Sequence, residues 1–170
     1  VFKKMSFSQT VLKYKKKKQL NLGRPHTSVC KNTYKYFIII PSYAENNYIQ
    51  DTLKSISMQD TKLLSELLVI IIINNAVDDP PEIKKNNHDT YCYIINENYP
   101  FEIIVMDCYS KRYALNHTIS GVGMARKIGM DFALDYAKKN SLLCSIDADT
   151  IISNDYLTTI ISEYKENLFS

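Results

Sequence analysis

Residues 67–75 read LLVIIIINN: seven apolar residues, most of them β-branched, stopped abruptly by two asparagines. The run falls far short of the 18 or so apolar residues that a membrane span needs. Its β-branched content predicts a strand. It shows no alternation of apolar and polar residues, so the strand is expected to be covered on both faces. Strands of that kind belong to parallel sheets with helices on either side.

Working outward, the same plan recurs. YFIIIPSY (36–43) is a second apolar run, ended by Pro41, and AENNYIQDTLKSISMQ (44–59) follows with apolar residues at helical spacing. FEIIVMDCY (101–109) predicts a third strand over about 101–106, with Asp107 at its end. GVGMARKIGMDFALDYAKKN (121–140) predicts a long helix whose apolar stripe runs through Ala125, Ile128, Phe132 and Tyr136, ending near Asn140. LLCSI (142–146) predicts a fourth short strand running into Asp147, and NDYLTTIISEYKENL (154–168) a last helix. Residues 80–99 are polar and without clear period, so they read as a loop with a short helix around 82–87. The alternation defines an α/β fold: a mainly parallel sheet flanked by helices, Rossmann-like.

Charge is unevenly spread. Residues 1–24 carry eight basic side chains and no acid, while the rest of the chain has 13 basic and 18 acidic residues, a net of −5. Residues 1–33 therefore read as a basic, weakly structured head, and 34–170 as the folded domain. A solvated head is one reading of KYKKKKQ (13–19); peripheral contact with a membrane surface is another. The acidic body and the absence of tyrosines interleaved with basic residues argue against a nucleic-acid partner. Four scattered cysteines without close pairs fit a reducing, cytoplasmic setting, and three scattered histidines argue against a histidine-built zinc site.

In open α/β sheets, ligands bind beyond the carboxyl ends of the strands. Four loops lie there: Pro41 to Glu45, Asn74 to Asp79, Asp107, and Asp147 to Asp149. In extended backbone, Asp147 and Asp149 share a face. Two carboxylates side by side repel unless a proton or cation offsets them, and a hard divalent ion, Mg²⁺ or Mn²⁺, would do so. The same acids also suit hydrogen bonding in a strand-exit turn. The glycines 121, 123 and 129 match neither G-x-G-x-x-G nor a Walker sequence and serve equally for helix entry and close packing. Arg126, one turn into that helix, reaches either a phosphate or a carboxylate.

Four segments in order resemble the nucleotide-sugar-binding part of family 2 glycosyltransferases with the GT-A fold. FIIIPSYAENNYIQDTLKSISMQ is similar to the family's first strand, acidic loop and helix, with Ala44 where an asparagine often stands and Glu45 kept. LLVIIIINNAVDD is similar to the second strand and turn, with Asn75, Ala76 and Val77 replacing Asp-Gly-Ser. GVGMARKIGMDFAL resembles the family's Ala-Arg-Asn-x-Gly helix, with Lys127 in place of the asparagine. LLCSIDADTIISNDYL resembles the strand and D-x-D segment.

The resemblance implies metal-assisted, inverting sugar transfer from a nucleotide-diphosphate donor to a glycan, lipid or small-molecule acceptor. Pro41, Tyr43, Glu45, Asn75 and Asp78 would hold the nucleoside, with Asp107 a secondary candidate. Asp147 would lie near the ribose or sugar, Asp149 would ligate the metal, and Arg126 would orient Asp147 or face the phosphates. The family's catalytic base follows the D-x-D segment, and no residue here resembles it. The chain is thus expected to be the donor-binding part of a longer, cytoplasmic enzyme. The alternatives are a catalytically inactive binding or scaffold domain and, ranked lower for want of a glycine-rich basic loop, a nucleotidyltransferase.

Overall fold

The computed structural model describes residues 5–168. Its elements in chain order are α1 (Phe7–Lys18), β1 (Arg24–Pro25), β2 (Tyr34–Ser42), α2 (Ile49–Ser57), α3 (Thr61–Leu64), β3 (Leu67–Asn74), α4 (Pro81–Asn96), β4 (Glu102–Cys108), α5 (Val122–Ala133), β5 (Ala137–Ser145) and α6 (Tyr156–Leu168). They build one mixed sheet in the order β1-β4-β3-β2-β5. The four long strands are parallel, and the two-residue β1 runs antiparallel along the edge of β4.

β3 is central, and every residue in it is buried. The period of two divides its side chains between two cores. Leu67, Val69, Ile71 and Ile73 join residues of α2, α4 and α6, whereas Leu68, Ile70 and Ile72 join Ala125, Ile128 and Ala133 of α5. α5 lies very close to the sheet at Gly129, where an added Cβ would fall 2.5 Å from Ile72 Cδ1 and 2.6 Å from Ile39 Cγ2. Gly121 and Gly123 meet nothing within 4 Å, so close packing explains only the third glycine.

Several elements differ from the sequence reading. β2 continues through Pro41, which pairs with Ile72 of β3. The proline is tolerated because the pairing with β5 has already ended at Ile39 and Ser145. α5 stops at Ala133 rather than near Asn140, and residues 137–140 enter β5, with Asn140 at φ 73°. Residues 81–96 form a 16-residue helix instead of a loop. Its start carries Pro81 and Glu82, both favoured in a first turn. Its buried residues are Asn87, Thr90 and Ile94, so two of the three are polar and no apolar period marks the helix.

The head is also ordered where it is described; its first four residues lie outside the described part. Ser6 and Gln9 form a capping box at the start of α1, a twelve-residue helix that buries none of its residues. Polar contacts to α5 hold it. Tyr14 Oη and the Leu20 amide donate to the Asp131 carboxylate at 2.7 and 2.9 Å, Lys127 Nζ reaches Asp131 at 2.8 Å, and Lys15 pairs with Asp135. After α1 the chain follows the sheet edge. Gly23, at φ +75°, passes so close to Cys108 that a Cβ would sit 2.4 Å from its Sγ. The His26 amide then donates to the Val105 carbonyl at 2.9 Å. Docking through polar groups leaves no hydrophobic signature to read.

Candidate functional site

Where β2, β3 and β5 end, the sheet opens into a cleft of about 620 Å³. Its walls are Pro41, Ser42, Tyr43 and Glu45 after β2, Asn74 and Asp79 after β3, Asp147, Ala148 and Asp149 after β5, and the start of α5. This is the position expected for a ligand in a parallel sheet.

Each wall is held from behind. The D-x-D segment leans on α2: Thr52 Oγ1 donates to the Ala148 carbonyl at 2.7 Å, and Ser55 Oγ accepts from the Ile152 amide at 3.2 Å. Gln59 continues the row, donating to the Ser153 carbonyl at 2.8 Å and accepting from the Leu157 amide at 3.0 Å. Ala148 is thereby turned inward and buried, so its neighbours Asp147 and Asp149 face outward together. Arg126 Nη2 lies 2.5 Å from Asp147 Oδ1. α4 supports the other two loops. Asn87, fully buried, accepts from the Ala44 amide at 2.9 Å and donates to Asn74 O and Asn75 Oδ1 at 3.1 and 2.9 Å. Asn86 accepts from the Asn46 amide at 3.0 Å. Ala44 is held at φ 57°, a left-handed conformation unfavourable for any residue with a Cβ.

The cleft is negatively charged along one side. Burial raises the pKa of Glu45, and the nearby charges of Asp149 and then Asp147 raise it further. Burial likewise raises Tyr43, with Asp79 adding to the effect. Among the described residues, four buried side-chain polar atoms have no hydrogen-bond partner, and three of them belong to cleft residues: Ser42 Oγ, Asn74 Oδ1 and Arg126 Nε. An unpaired buried polar group costs about 1–3 kcal/mol. Three such atoms lie beside this one opening.

Of the residues singled out from sequence, Pro41, Tyr43, Glu45, Arg126, Asp147 and Asp149 line the cleft. Three others do not. Asn75 is fully buried and committed to Asn87 and to the Ala76 carbonyl. Asp78 is exposed and is not among the lining residues, although its carboxylate lies 3.7 Å from Nδ1 of His117, which is. Asp79 lines the cleft in its place and accepts from the Ala76 amide at 2.7 Å. Asp107 is buried under the β4 exit. Burial works to raise its pKa, but bonds from Ser110 Oγ and N, the Tyr109 amide and His26 prevail and lower it. The site also contains Ser42, Asn74, His117, Ser120, Gly121 and Val122. Ser42 and Asn74 were legible only as strand-end residues. Nothing in the sequence signals His117, which a loop brings in.

The fold and the cleft define an α/β, Rossmann-like domain with its site at the strand exits. The fold is similar to that of the crystal structure of S. aureus TarS 1–349 in complex with UDP-GlcNAc, with a TM-score of 0.54 and 19% identity over 78% of this chain and 31% of that one. The structures of TarS 1–349 alone and with UDP give TM-scores of 0.47 and 0.46 at 17% and 16% identity, each covering 78% of this chain and 32% of theirs. The chain thus spans about a third of the length of these structures. No protein-family model and no curated protein matches the sequence. Among the described residues no helix is long and apolar enough to cross a membrane.

Proposed function

We propose that the cleft binds a nucleotide-diphosphate sugar together with Mg²⁺ or Mn²⁺, and that the chain is the donor-binding part of a GT-A glycosyltransferase. The observation that carries this reading is the meeting of Glu45, Asp147 and Asp149 with the unpartnered Ser42 Oγ, Asn74 Oδ1 and Arg126 Nε in one opening. The resemblance of the four sequence segments to family 2 glycosyltransferases supports it. So does the likeness of the fold to a structure that holds UDP-GlcNAc.

A divalent cation fits these residues. Among the described residues no three His, Cys, Asp or Glu side chains are grouped to hold a metal unaided. Mg²⁺ commonly takes only one or two carboxylates and completes its shell from substrate phosphates and water. Asp149, with Asp147 beside it, would supply that part, and a cation there would relieve the repulsion that these two acids add to the burial of Glu45. When bound, the cation offsets the charge that gathers on the departing diphosphate.

The chain's own residues do the rest of the positioning. Arg126 braces Asp147 and keeps its Nε for an acceptor atom of the ligand. Tyr43, Glu45 and Asn74 form the side of the cleft assigned to the nucleoside. Inverting transfer also needs a base for the acceptor hydroxyl, and we assign that role to no residue of this chain.

Calorimetry with UDP-GlcNAc, with and without Mn²⁺, tests the reading. Binding should require the metal and weaken at least tenfold in Asp149→Ala, roughly 1.4 kcal/mol. Metal-independent binding, or none with UDP or UDP-GlcNAc, would count against the site as described. Metal-dependent binding without turnover of the donor would favour a binding domain over a catalytic one.

A further inference from the structure

We propose that α1 docks the protein on an anionic lipid surface through Lys13, Lys16 and Lys17. At 100° per residue these three lie on one face of the helix, opposite the face on which Tyr14 meets Asp131 of α5 and Lys15 pairs with Asp135 just beyond it. All three are exposed, and among the described residues no ion pair to an acid is seen for them. Lys18 is exposed nearby, and Arg24 is exposed on β1.

Attraction of lysines to the helix C-terminus accounts for a basic last turn. It does not account for the apolar side chain left in water beside it: Leu12, 40° round the helix from Lys16, is 58% exposed. A cationic face with an exposed leucine at its margin is suited to the lipid interface, where the lysines meet headgroups and the leucine enters the acyl boundary. The helix is also firmly mounted. Lys127 Nζ reaches Tyr14 Oη at 2.9 Å and the Lys18 carbonyl at 3.0 Å, and its neighbour Arg126 lines the cleft.

Lipid is favoured over nucleic acid by the charge distribution. The cations are concentrated on one short helix, while the chain from residue 25 onward carries a net −5 and would repel a long polyanion. The helix has two aromatics: Tyr14 is held by Asp131 and Lys127, and Phe7 falls on the same side of the helix, so the lysine face itself carries no stacking ring.

Co-sedimentation of the 170-residue chain with vesicles tests this, using phosphatidylcholine alone and phosphatidylcholine with about 30% phosphatidylserine. The serine-containing vesicles should bind at least about tenfold better, and added salt should release the protein. Lys13→Gln/Lys16→Gln/Lys17→Gln should weaken binding about a hundredfold, and Leu12→Ser should weaken it with the charges intact. None of these residues lines the cleft, so vesicle binding and donor binding are separate measurements. Equal binding to both vesicles, binding to neither, salt-insensitive binding, or tighter capture of a single-stranded RNA oligonucleotide would each overturn the proposal. The salt series uses the unaltered chain and decides the matter even if the triple variant fails to fold.

Discussion

The loops that follow β3 and β5 begin alike, with short polar residues at the end of a buried parallel strand, and they are held in different ways. After β5, the supporting bonds go to the backbone: Thr52 and Ser55 hold the Ala148 carbonyl and the Ile152 amide. The side chains of Asp147 and Asp149 are left facing the cleft. After β3, the side chains themselves carry the support, with Asn75 bound to Asn87 and Asp79 capping the Ala76 amide. Both loops nevertheless reach the cleft, since Asn74 and Asp79 line it as Asp147 and Asp149 do.

The largest effect should come from removing the support shared by two loops. Asn87→Ala leaves the Ala44 amide, the Asn74 carbonyl and Asn75 Oδ1 without a partner. At about 1–3 kcal/mol for each buried group, a total near 4 kcal/mol is expected in urea unfolding. A loss under about 1 kcal/mol would mean that the β3 turn is not held as described. Thr52→Val breaks the Thr52–Ala148 bond with little change of shape. About 1–2 kcal/mol of stability should go with it, and UDP-GlcNAc affinity should fall too, because the D-x-D segment loses its register. Unchanged affinity would show that the segment is positioned by other means.

Smaller and opposite in sign is Ala44→Gly. Glycine adopts the left-handed backbone without a Cβ penalty, so a gain of roughly 0.5–1 kcal/mol is expected in the same unfolding experiment. The smallest effect concerns protons. Glu45 has a raised pKa, so its folded form holds a proton more tightly than its unfolded form. Its contribution to stability is therefore greatest below its ordinary value of 4.5 and is lost as pH rises through the folded pKa. Asp149→Asn removes one cause of that shift and should lower the Glu45 pKa in an NMR titration. An unmoved Glu45 would mean that burial alone sets its value.

How much of this was legible depended on what each element buries. β3 announced itself because a strand covered on both faces is apolar throughout. α4 did not, because its inward residues include Asn87 and Thr90, chosen for hydrogen bonds rather than for hydrophobic burial. α1 did not, because it is held by Tyr14, Lys15 and Lys127 and buries nothing. The end of α5 was misplaced for a related reason. Tyr136 packs against Phe132 and so continues the apolar stripe, although the backbone has already turned toward β5.

The sequence by itself determined the α/β layering, the parallel central strands, and the positions of Glu45, Asn74, Asp147 and Asp149 at their exits. These follow from local pattern: apolar runs of strand length, helical spacing, and polar residues where a run stops. Only the tertiary structure decided which polar groups remain free. Asp107 is taken by His26 from 81 positions earlier in the chain and by the nearby Ser110, Asn75 is taken by Asn87, and of Asp78 and Asp79 only the second lines the cleft. Hydrogen-bond satisfaction is settled by partners brought together through folding, so a list of candidate residues becomes a site only after those partners are in place.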